Sequence, residues 1–207
     1  MIVAFLRHAA TAWNDEGRMQ GRRDVPLSDR GREQARRWRL PPGSTDNGAV
    51  RWVTSPLVRA RETAALIGAA RPACVDALIE MDWGGWEGRR LDEIETLHAA
   101  EYARQRARGL DFRPPGGESP REVQRRLLQW LAQAVAENAP VVAVTHLGVL
   151  RALLAAATGW DMVAKPPLKL APESLHRFDV DARGGVAIVE CNIPLAAPAP
   201  VAGERPV

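Results

Sequence analysis

The sequence predicts an α/β protein with a mostly parallel central sheet that helices cover on both faces. Short apolar runs of strand length alternate along the chain with longer helical stretches, an alternation typical of parallel sheets. Polar residues follow directly after three of these runs, as they do at the carboxyl edge of an open α/β sheet. The 207 residues contain no repeat and no second-domain boundary. We therefore expect one domain over residues 1–193 with a substantial core.

The first half of the chain predicts three strands and two helices. Residues 2–6 form a short apolar run with two β-branched members, which indicates a buried strand. A polar loop over residues 14–27 leads to Ser28, which can cap a helix from Asp29 to about Leu40. The other predicted elements are a strand at 50–54, a helix to about Ala70 with Ser55 as N-cap and Pro56 in its first turn, and a strand at 73–76.

The second half predicts three helices and three further strands. Residues 91–108 are charged and helical in pattern, whereas 78–90 and 112–118 contain glycines that indicate irregular structure. Ser119 and Glu122 form a capping box ahead of an amphipathic helix. The remaining elements are a strand at 141–145, a helix from 147 to about 157, an antiparallel pair at 175–180 and 186–191, and a Pro- and Ala-rich tail over 194–207 that we expect to be disordered.

Composition excludes several classes of protein. The net charge is +3, and 26 of the 28 basic residues are arginines, since Lys165 and Lys169 are the only lysines. Acidic residues interleave with these arginines, so we expect no nucleic-acid partner. Cys74 and Cys191 are far apart and belong to no metal-binding pattern, which argues against a disulfide framework or a zinc site. No segment is long enough to span a membrane, and a cytoplasmic location is expected.

Three predicted strands end in residues that can bind an anion. Arg7 and His8 follow the first strand, Ser55 and then Arg59 follow the second, and His146 follows the strand at 141–145. Parallel strands place their carboxyl ends at one edge of a sheet, so these groups are expected to converge. Two histidines, two arginines and a helix N-terminus are suited to a phosphate.

The same residues belong to five blocks that occur in a fixed order. Together the blocks resemble the histidine phosphatase superfamily, also called phosphoglycerate mutase-like, and the likeness extends over about residues 2–192. It implies a three-layer α/β/α fold. The blocks are 7–14 (RHAATAWN) continued by Gln20, Gly21, Asp24, 26–28, Gly31, Gln34 and Ala35; 55–57 with Arg59, Ala60, Thr63 and Ala64; Glu80 with Gly84 and 86–88; 117–119; and 144–149.

The resemblance implies a catalytic role for five residues. His8 is expected to be the nucleophile that becomes phosphorylated, since neutral imidazole is a good nucleophile near pH 7. Arg7, Arg59 and His146 are expected to bind the phosphoryl oxygens, because phosphoryl transfer depends mostly on positioning and charge stabilisation. Glu80 is expected to protonate the leaving group. This scheme needs no metal and no other cofactor, because the arginines supply positive charge.

Four further residues are expected to contact the substrate. The resemblance places Asn14 in the phosphate pocket, and Gln20 and Gly21 could border it or lie in a plain loop. Leu147 stands where a second small residue is common in the family, and would add an apolar wall near the site.

Some assignments stay open at this point. Glu87 is an alternative to Glu80 as the acid, and Asp82 is a weaker one. Trp83 and Trp86 could line a substrate pocket or pack in the core. Ala9 replaces the glycine that is usual after the histidine, and a methyl group is costly there if the position needs a positive φ or close approach of phosphate.

The expected activity is hydrolysis of a small phosphorylated metabolite by a phosphomonoesterase. One alternative is a phosphoglycerate-type mutase, although mutases of this family are typically longer. Another is a non-catalytic phosphate-binding relative, suggested by the alanine after the histidine. The natural substrate could be α-ribazole phosphate, a sugar phosphate or another monoester, and the protein could be a monomer or a homodimer.

Overall fold

A six-stranded mixed sheet organises the protein in the computed structural model, which describes residues 1–41, 50–69, 71–137 and 139–195. The strands are β1 (Ile2–Arg7), β2 (Arg51–Thr54), β3 (Ala73–Cys74), β4 (Val141–Thr145), β5 (Ser174–Val180) and β6 (Val186–Pro194). The helices are α1 (Ala12–Asp15), α2 (Asp29–Arg37), α3 (Val58–Leu66), α4 (Leu91–Leu97), α5 (Ala99–Arg106), α6 (Pro120–Ala136) and α7 (Leu147–Thr158). The predicted α/β class is confirmed.

The sheet order is β3-β2-β4-β1-β5-β6. The first four strands in this order pair in parallel, and β5 and β6 add an antiparallel edge. The antiparallel pair at the end of the chain is therefore confirmed. At the centre of the sheet, β1 and β4 pair in register from Val3 with Val141 to Arg7 with Thr145.

Two hydrophobic cores cover the two faces of the sheet. Alternate residues of the central strands point to opposite faces, so Phe5 and Ala4 enter different cores. One core packs α6 and α7 against the sheet through residues such as Leu127 and Leu153. The other packs α2 and α3 against the opposite face. The expected three-layer arrangement is present.

Tertiary contacts change the predicted helix at 55–70. Ser55 still belongs to the sheet, because its amide donates to Val144 O at 3.0 Å. Helix α3 therefore begins at Val58, and it has Leu57 rather than Ser55 as its N-cap. The Asp24 carboxylate accepts from the Val58 amide at 2.7 Å, so a distant side chain satisfies this helix end.

Other boundaries also differ from the prediction. Helix α2 ends at Arg37, three residues before Leu40, because Trp38 leaves the helical conformation and is buried in the core. The predicted helix at 91–108 is interrupted at His98, whose φ of −130° is not helical, although no glycine or proline signals a break. The short helix α1, which Thr11 caps, begins at Ala12, before the predicted loop starts at residue 14. Strand β3 is shorter than predicted, whereas β5 and β6 are longer.

Part of the prediction lies outside the described residues. This applies to most of the expected tail, residues 196–207, whereas helix α3 ends within the described residues at Leu66, before the predicted end near Ala70. Strand β6 extends to Pro194, so the proposed domain limit at residue 193 falls within a strand. Across the described ranges, no helix is both long and apolar enough to cross a membrane.

The capping box of α6 provides a test of the fold. Ser119 accepts from the Glu122 amide at 3.3 Å, and Glu122 accepts from the Ser119 amide at 2.9 Å. We expect Ser119→Ala to lower the free energy of unfolding by about 1 kcal/mol in urea denaturation. Arg125→Ala, on the exposed side of the same helix, should change it by less than about 0.5 kcal/mol. Equal effects of the two substitutions would contradict a stabilising role for the cap.

Candidate active site

The ends of β1, β2 and β4 lie side by side at the carboxyl edge of the sheet. The His8 amide continues the ladder beyond β1 and donates to Thr145 O at 3.0 Å. The Ser55 amide does the same beyond β2, donating to Val144 O at 3.0 Å. The predicted convergence of the three strand ends is therefore present, and it depends only on parallel backbone pairing.

Two histidine rings face each other at this edge. The rings of His8 and His146 are 5.1 Å apart between centroids, and both side chains are buried. His8 Nδ1 lies 2.7 Å from Ala9 O. A carbonyl oxygen can only accept, so this contact assigns the proton to Nδ1 and leaves the lone pair on Nε2. His8 thus has a nucleophilic nitrogen whose orientation the backbone fixes.

His146 is held by Ser55, which the sequence predicts to be the N-cap of a helix. Its Nε2 lies 2.7 Å from Ser55 Oγ, while its Nδ1 is buried without a hydrogen-bond partner among the described residues. The position of Ser55 at a strand end was visible in the sequence. Its contact with His146 was not, because 91 residues separate the two.

Burial keeps both histidines neutral. It lowers the pKa of His8 well below its usual range, and the positive charges of Arg7 and Arg59 lower it further. The pKa of His146 is lowered in the same way, first by burial and then by Arg59, His8 and Arg7. A neutral His8 at and below neutral pH is the form that can attack phosphorus.

The two arginines of the site differ in how they are held. Arg59 is fully buried, and its Nη atoms donate to Gly21 O at 2.7 Å and Arg23 O at 2.8 Å. Arg7 makes no ion pair within the described residues. Burial lowers the pKa of each guanidinium, and the negative charge of Glu80 opposes that shift.

Three buried nitrogen atoms at this edge lack hydrogen-bond partners within the described residues, and two others belong to Arg51 at the opposite end of β2. Arg7 Nε, Arg59 Nε and His146 Nδ1 are all buried and lack hydrogen bonds within the described part of the chain. Most buried polar atoms in proteins are paired, so three such atoms beside one nucleophile require an explanation. An oxyanion has the charge and the acceptor atoms to satisfy them.

Glu80 lies at the N-terminus of α7, the helix that follows His146. Its Oε1 accepts from the Met81 amide at 2.8 Å, and its Oε2 accepts from the Gly148 amide at 3.3 Å. A Cβ at Gly148 would collide with this carboxylate, so the glycine leaves the space that Glu80 occupies. Arg126 and Thr145 bind the carbonyls of residues 77–79 and hold the segment that carries Glu80.

Glu87 is held in a different way. Its Oε1 accepts from the Arg22 amide at 2.7 Å, and its Oε2 is 3.4 Å from Arg23 Nε. A Cβ at Gly21 would collide with Glu87, and Gly21 also adopts a φ of +53°. Glu87 therefore holds in place the loop whose carbonyls bind Arg59. Because Glu87 has this structural role, Glu80 is the better candidate for the acid.

Ala9 does not adopt the conformation that would require glycine. Its φ is not positive, and its amide donates to Thr63 Oγ1 at 3.0 Å. Its methyl group is buried in the core that packs α2 and α3 against the sheet. The cost anticipated for a positive φ therefore does not arise at this position.

A cavity of about 390 Å³ adjoins this centre. Arg7, Asn14, Gln20 and Leu147 line it, whereas Gly21 does not. Asn14 Oδ1 accepts from Thr11, so its amide nitrogen keeps its donors, and Gln20 Oε1 is buried without a partner within the described ranges. Three of the four residues expected to contact substrate thus border the cavity, and the fourth supports Arg59.

The two tryptophans of the glycine-rich segment lie in different surroundings. Trp83 lines the cavity, whereas Trp86 is buried in the core. The sequence did not identify the residues that complete the wall. They include Tyr102 and Arg106 of α5, Phe112, and Arg151 of α7. Within the described residues, no cluster of three or more His, Cys, Asp or Glu side chains is arranged to hold a metal ion.

Fold and site together define an α/β protein with a histidine–arginine oxyanion site at its sheet edge. The chain belongs to the histidine phosphatase superfamily (branch 1), whose family model matches residues 3–194. This confirms the resemblance on which the residue roles depend.

Individual relatives have different names. A Klebsiella pneumoniae protein named probable phosphoglycerate mutase GpmB is 34% identical over 184 residues, which are 86% of this chain and 84% of that protein. The structure of mycobacterial glucosyl-3-phosphoglycerate phosphatase is 27% identical with a TM-score of 0.73, covering 95% of this chain and 99% of the other. The α-ribazole phosphatase from Shigella flexneri has a TM-score of 0.76 at 24% identity over 97% and 100% of the two chains, a likeness of fold.

The neutral histidines predict how stability depends on pH. Because the folded state holds the pKa of His8 and of His146 below the unfolded value of 6.5, the unfolded chain binds more protons as pH falls below 6.5. We expect the free energy of unfolding to decrease from pH 6.5 to pH 5 with a slope that His8→Asn and His146→Asn each reduce. The exposed His98→Asn is the matched control and should leave the slope unchanged. Identical slopes in all four proteins would contradict this reading of the site.

Proposed function

We propose that this protein is a phosphomonoesterase that hydrolyses a small phosphorylated metabolite through a phosphohistidine at His8. The observation that supports this most strongly is the group of three unpaired buried donors around a neutral imidazole. The donors suit the oxygens of a phosphoryl group, and the free Nε2 of His8 suits attack on its phosphorus.

In the first step, the donors of Arg7, Arg59 and His146 bind the phosphoryl oxygens. His8 Nε2 then forms a bond to phosphorus as the bond to the leaving oxygen breaks. The leaving alkoxide takes a proton from the carboxyl group of Glu80, which becomes a carboxylate. The Ala9 carbonyl accepts a hydrogen bond from Nδ1–H throughout and stabilises the positive charge that develops on the ring.

In the second step, water attacks the phosphohistidine in line with the P–N bond. Glu80 takes a proton from this water, so its acid form is restored, and neutral His8 and inorganic phosphate are produced. The same three side chains, two cationic arginines and the neutral His146, bind the phosphoryl oxygens in both steps. In this proposal, the arginines supply the positive charge and a metal ion is not required.

A phosphoglycerate-type mutase is the second candidate, and the name of the Klebsiella relative favours it. That protein is close in length to this chain, because the match covers 84% of it and 86% of this chain. Length alone therefore does not separate the two activities. The difference lies in the acceptor: a hydrolase passes the phosphoryl group to water, and a mutase passes it to a hydroxyl of the bound sugar acid.

The role of His8 is tested by phosphate release from an aryl phosphate. We expect His8→Ala to reduce kcat at least about a thousandfold, because the covalent route is lost, whereas the exposed His98→Ala should retain full activity. Wild-type activity should persist in excess EDTA. Acid-labile phosphate should be trapped on the wild type after a rapid quench, and it should be missing from His8→Ala. Equal release by wild type and His8→Ala would rule out this nucleophile, and transfer to an added glycerate instead of water would favour the mutase.

The role of Glu80 is tested by comparing leaving groups. An alkoxide needs protonation more than a phenolate does, so Glu80→Gln should lower kcat/KM for alkyl phosphates about a hundredfold and affect aryl phosphates much less. Glu87→Gln is the matched control, since it alters a carboxylate in the adjoining loop and should affect both substrates equally. Equal losses for alkyl and aryl substrates in Glu80→Gln would argue against Glu80 as the acid.

A further inference from the structure

The cavity beside the catalytic centre has a composition that phosphate binding does not explain. Trp13, Trp83, Tyr102 and Phe112 contribute aromatic surface to its wall, and Met19 and other apolar side chains add to it. The phosphoryl group itself needs only the donors at the sheet edge. An apolar compartment of about 390 Å³ is suited to a bulky, partly aromatic organic group.

Two arginines, Arg151 and Arg106, interrupt this apolar wall. No ion pair is formed by either of them within the described residues, whereas Arg18, which lines the same cavity, is paired with Glu16. The Arg151 guanidinium lies over the Trp160 ring at 5.3 Å, so its orientation is fixed by stacking. Arg106 is exposed and can adjust its position.

The electrostatics of this pair indicate what ligand would stabilise it. Burial lowers the pKa of Arg151 and the positive charge of Arg106 lowers it further, while Tyr102 and Glu80 oppose the shift. Arg151 is partly buried and Arg106 is exposed, and an anion that contacts both offsets the repulsion between them. A carboxylate or a phosphate provides that charge together with bidentate acceptors.

The spacing along α7 separates this pair from the catalytic centre. Leu147, Gly148 and Arg151 all line the cavity, as expected for residues one turn apart on one face of a helix. Arg151 is five residues beyond His146, which corresponds to about 7.5 Å along the helix axis. Arg151 is therefore anchored more than one turn farther along α7 than His146, and it lines the same cavity as Arg7, so one ligand can contact both arginines.

We propose that the cavity binds the leaving group of the substrate, and that this group joins a bulky aromatic or apolar body to a second anion held by Arg151 and Arg106. The proposal rests on the proposed function only in assuming that the end of the ligand at His8 is the phosphate that is hydrolysed. It predicts that the substrate is larger than a three-carbon acid. It also predicts that the leaving group carries an anionic group, so that a neutral aromatic alcohol is not the product.

A binding experiment tests the second anion without catalysis. Biphenyl-4-carboxylate and its neutral carboxamide would be titrated into the full-length protein with inorganic phosphate present, and tryptophan fluorescence would report binding, since Trp13 and Trp83 line the cavity. We expect the carboxylate to bind about tenfold more tightly than the carboxamide. Arg151→Met and Arg106→Met should each reduce this preference, and Arg151→Lys should retain part of it.

The matched control is Arg104→Met, which alters an exposed arginine of the same helix as Arg106 that is paired with Glu101 outside the cavity. It should leave the preference unchanged. Equal affinities for the carboxylate and the carboxamide in the wild type would overturn the proposal. So would a preference that survives both Arg106→Met and Arg151→Met. Because Arg106 is exposed, its substitution remains informative even if Arg151→Met fails to fold.

A kinetic experiment separates this proposal from the catalytic one. The substrates are 4-biphenylyl phosphate and the same compound with a 4′-carboxylate, and kcat/KM for the carboxylated one should be about tenfold higher only when Arg151 is present. Hydrolysis that depends on His8 but is equal for both substrates would overturn the second-anion site and leave the phosphatase intact. A carboxylate preference in binding without hydrolysis dependent on His8 would keep the site and overturn the proposed catalysis.

Discussion

The parallel pairing of β1 with β4 is the constraint on which the site depends. In this register Arg7 lies opposite Thr145, so the next residue of each strand is a histidine. A slip of one residue would turn the side chains of one strand to the other face. The alternation of two buried faces specifies the register, because Phe5 and Leu6 must enter different cores. Packing of the cores thus determines the distance between His8 and His146.

Burial at the sheet edge has a cost that the surrounding backbone offsets. Arg59 is fully buried, and desolvating a guanidinium is unfavourable unless its donors are satisfied. The carbonyls of Gly21 and Arg23 satisfy two of them, while the carboxylates of Glu80 and Asp24 oppose the loss of charge. The Nε of Arg59 has no hydrogen-bond partner within the described residues and is left for a ligand. The loop from β1 to α2 is therefore part of the catalytic structure, although it contains few of the expected catalytic residues.

The sequence predicted those features of the site that depend on local pattern and on the direction of strands. His8, Ser55 and His146 each follow an apolar run, and the rule for parallel sheets was enough to bring them together. The cavity wall could not be predicted in this way. Tyr102 and Arg151 meet through packing between segments far apart in the chain, and the interruption at His98 that orients α5 has no glycine or proline signal. The strand-end residues of the candidate site could therefore be predicted from the sequence, and the residues of the cavity wall could not.

Ala9 shows why a departure from a family pattern must be judged by what each atom of the residue does. The carbonyl fixes the His8 tautomer, the amide bonds to Thr63, and the methyl group lies in the core. The two interactions that serve the nucleophile are made by backbone atoms, which alanine and glycine share. The side chain is directed away from them, into the layer of α2 and α3. Replacement of glycine by alanine therefore preserves the geometry of His8 and adds apolar contact behind it, which is compatible with an active enzyme.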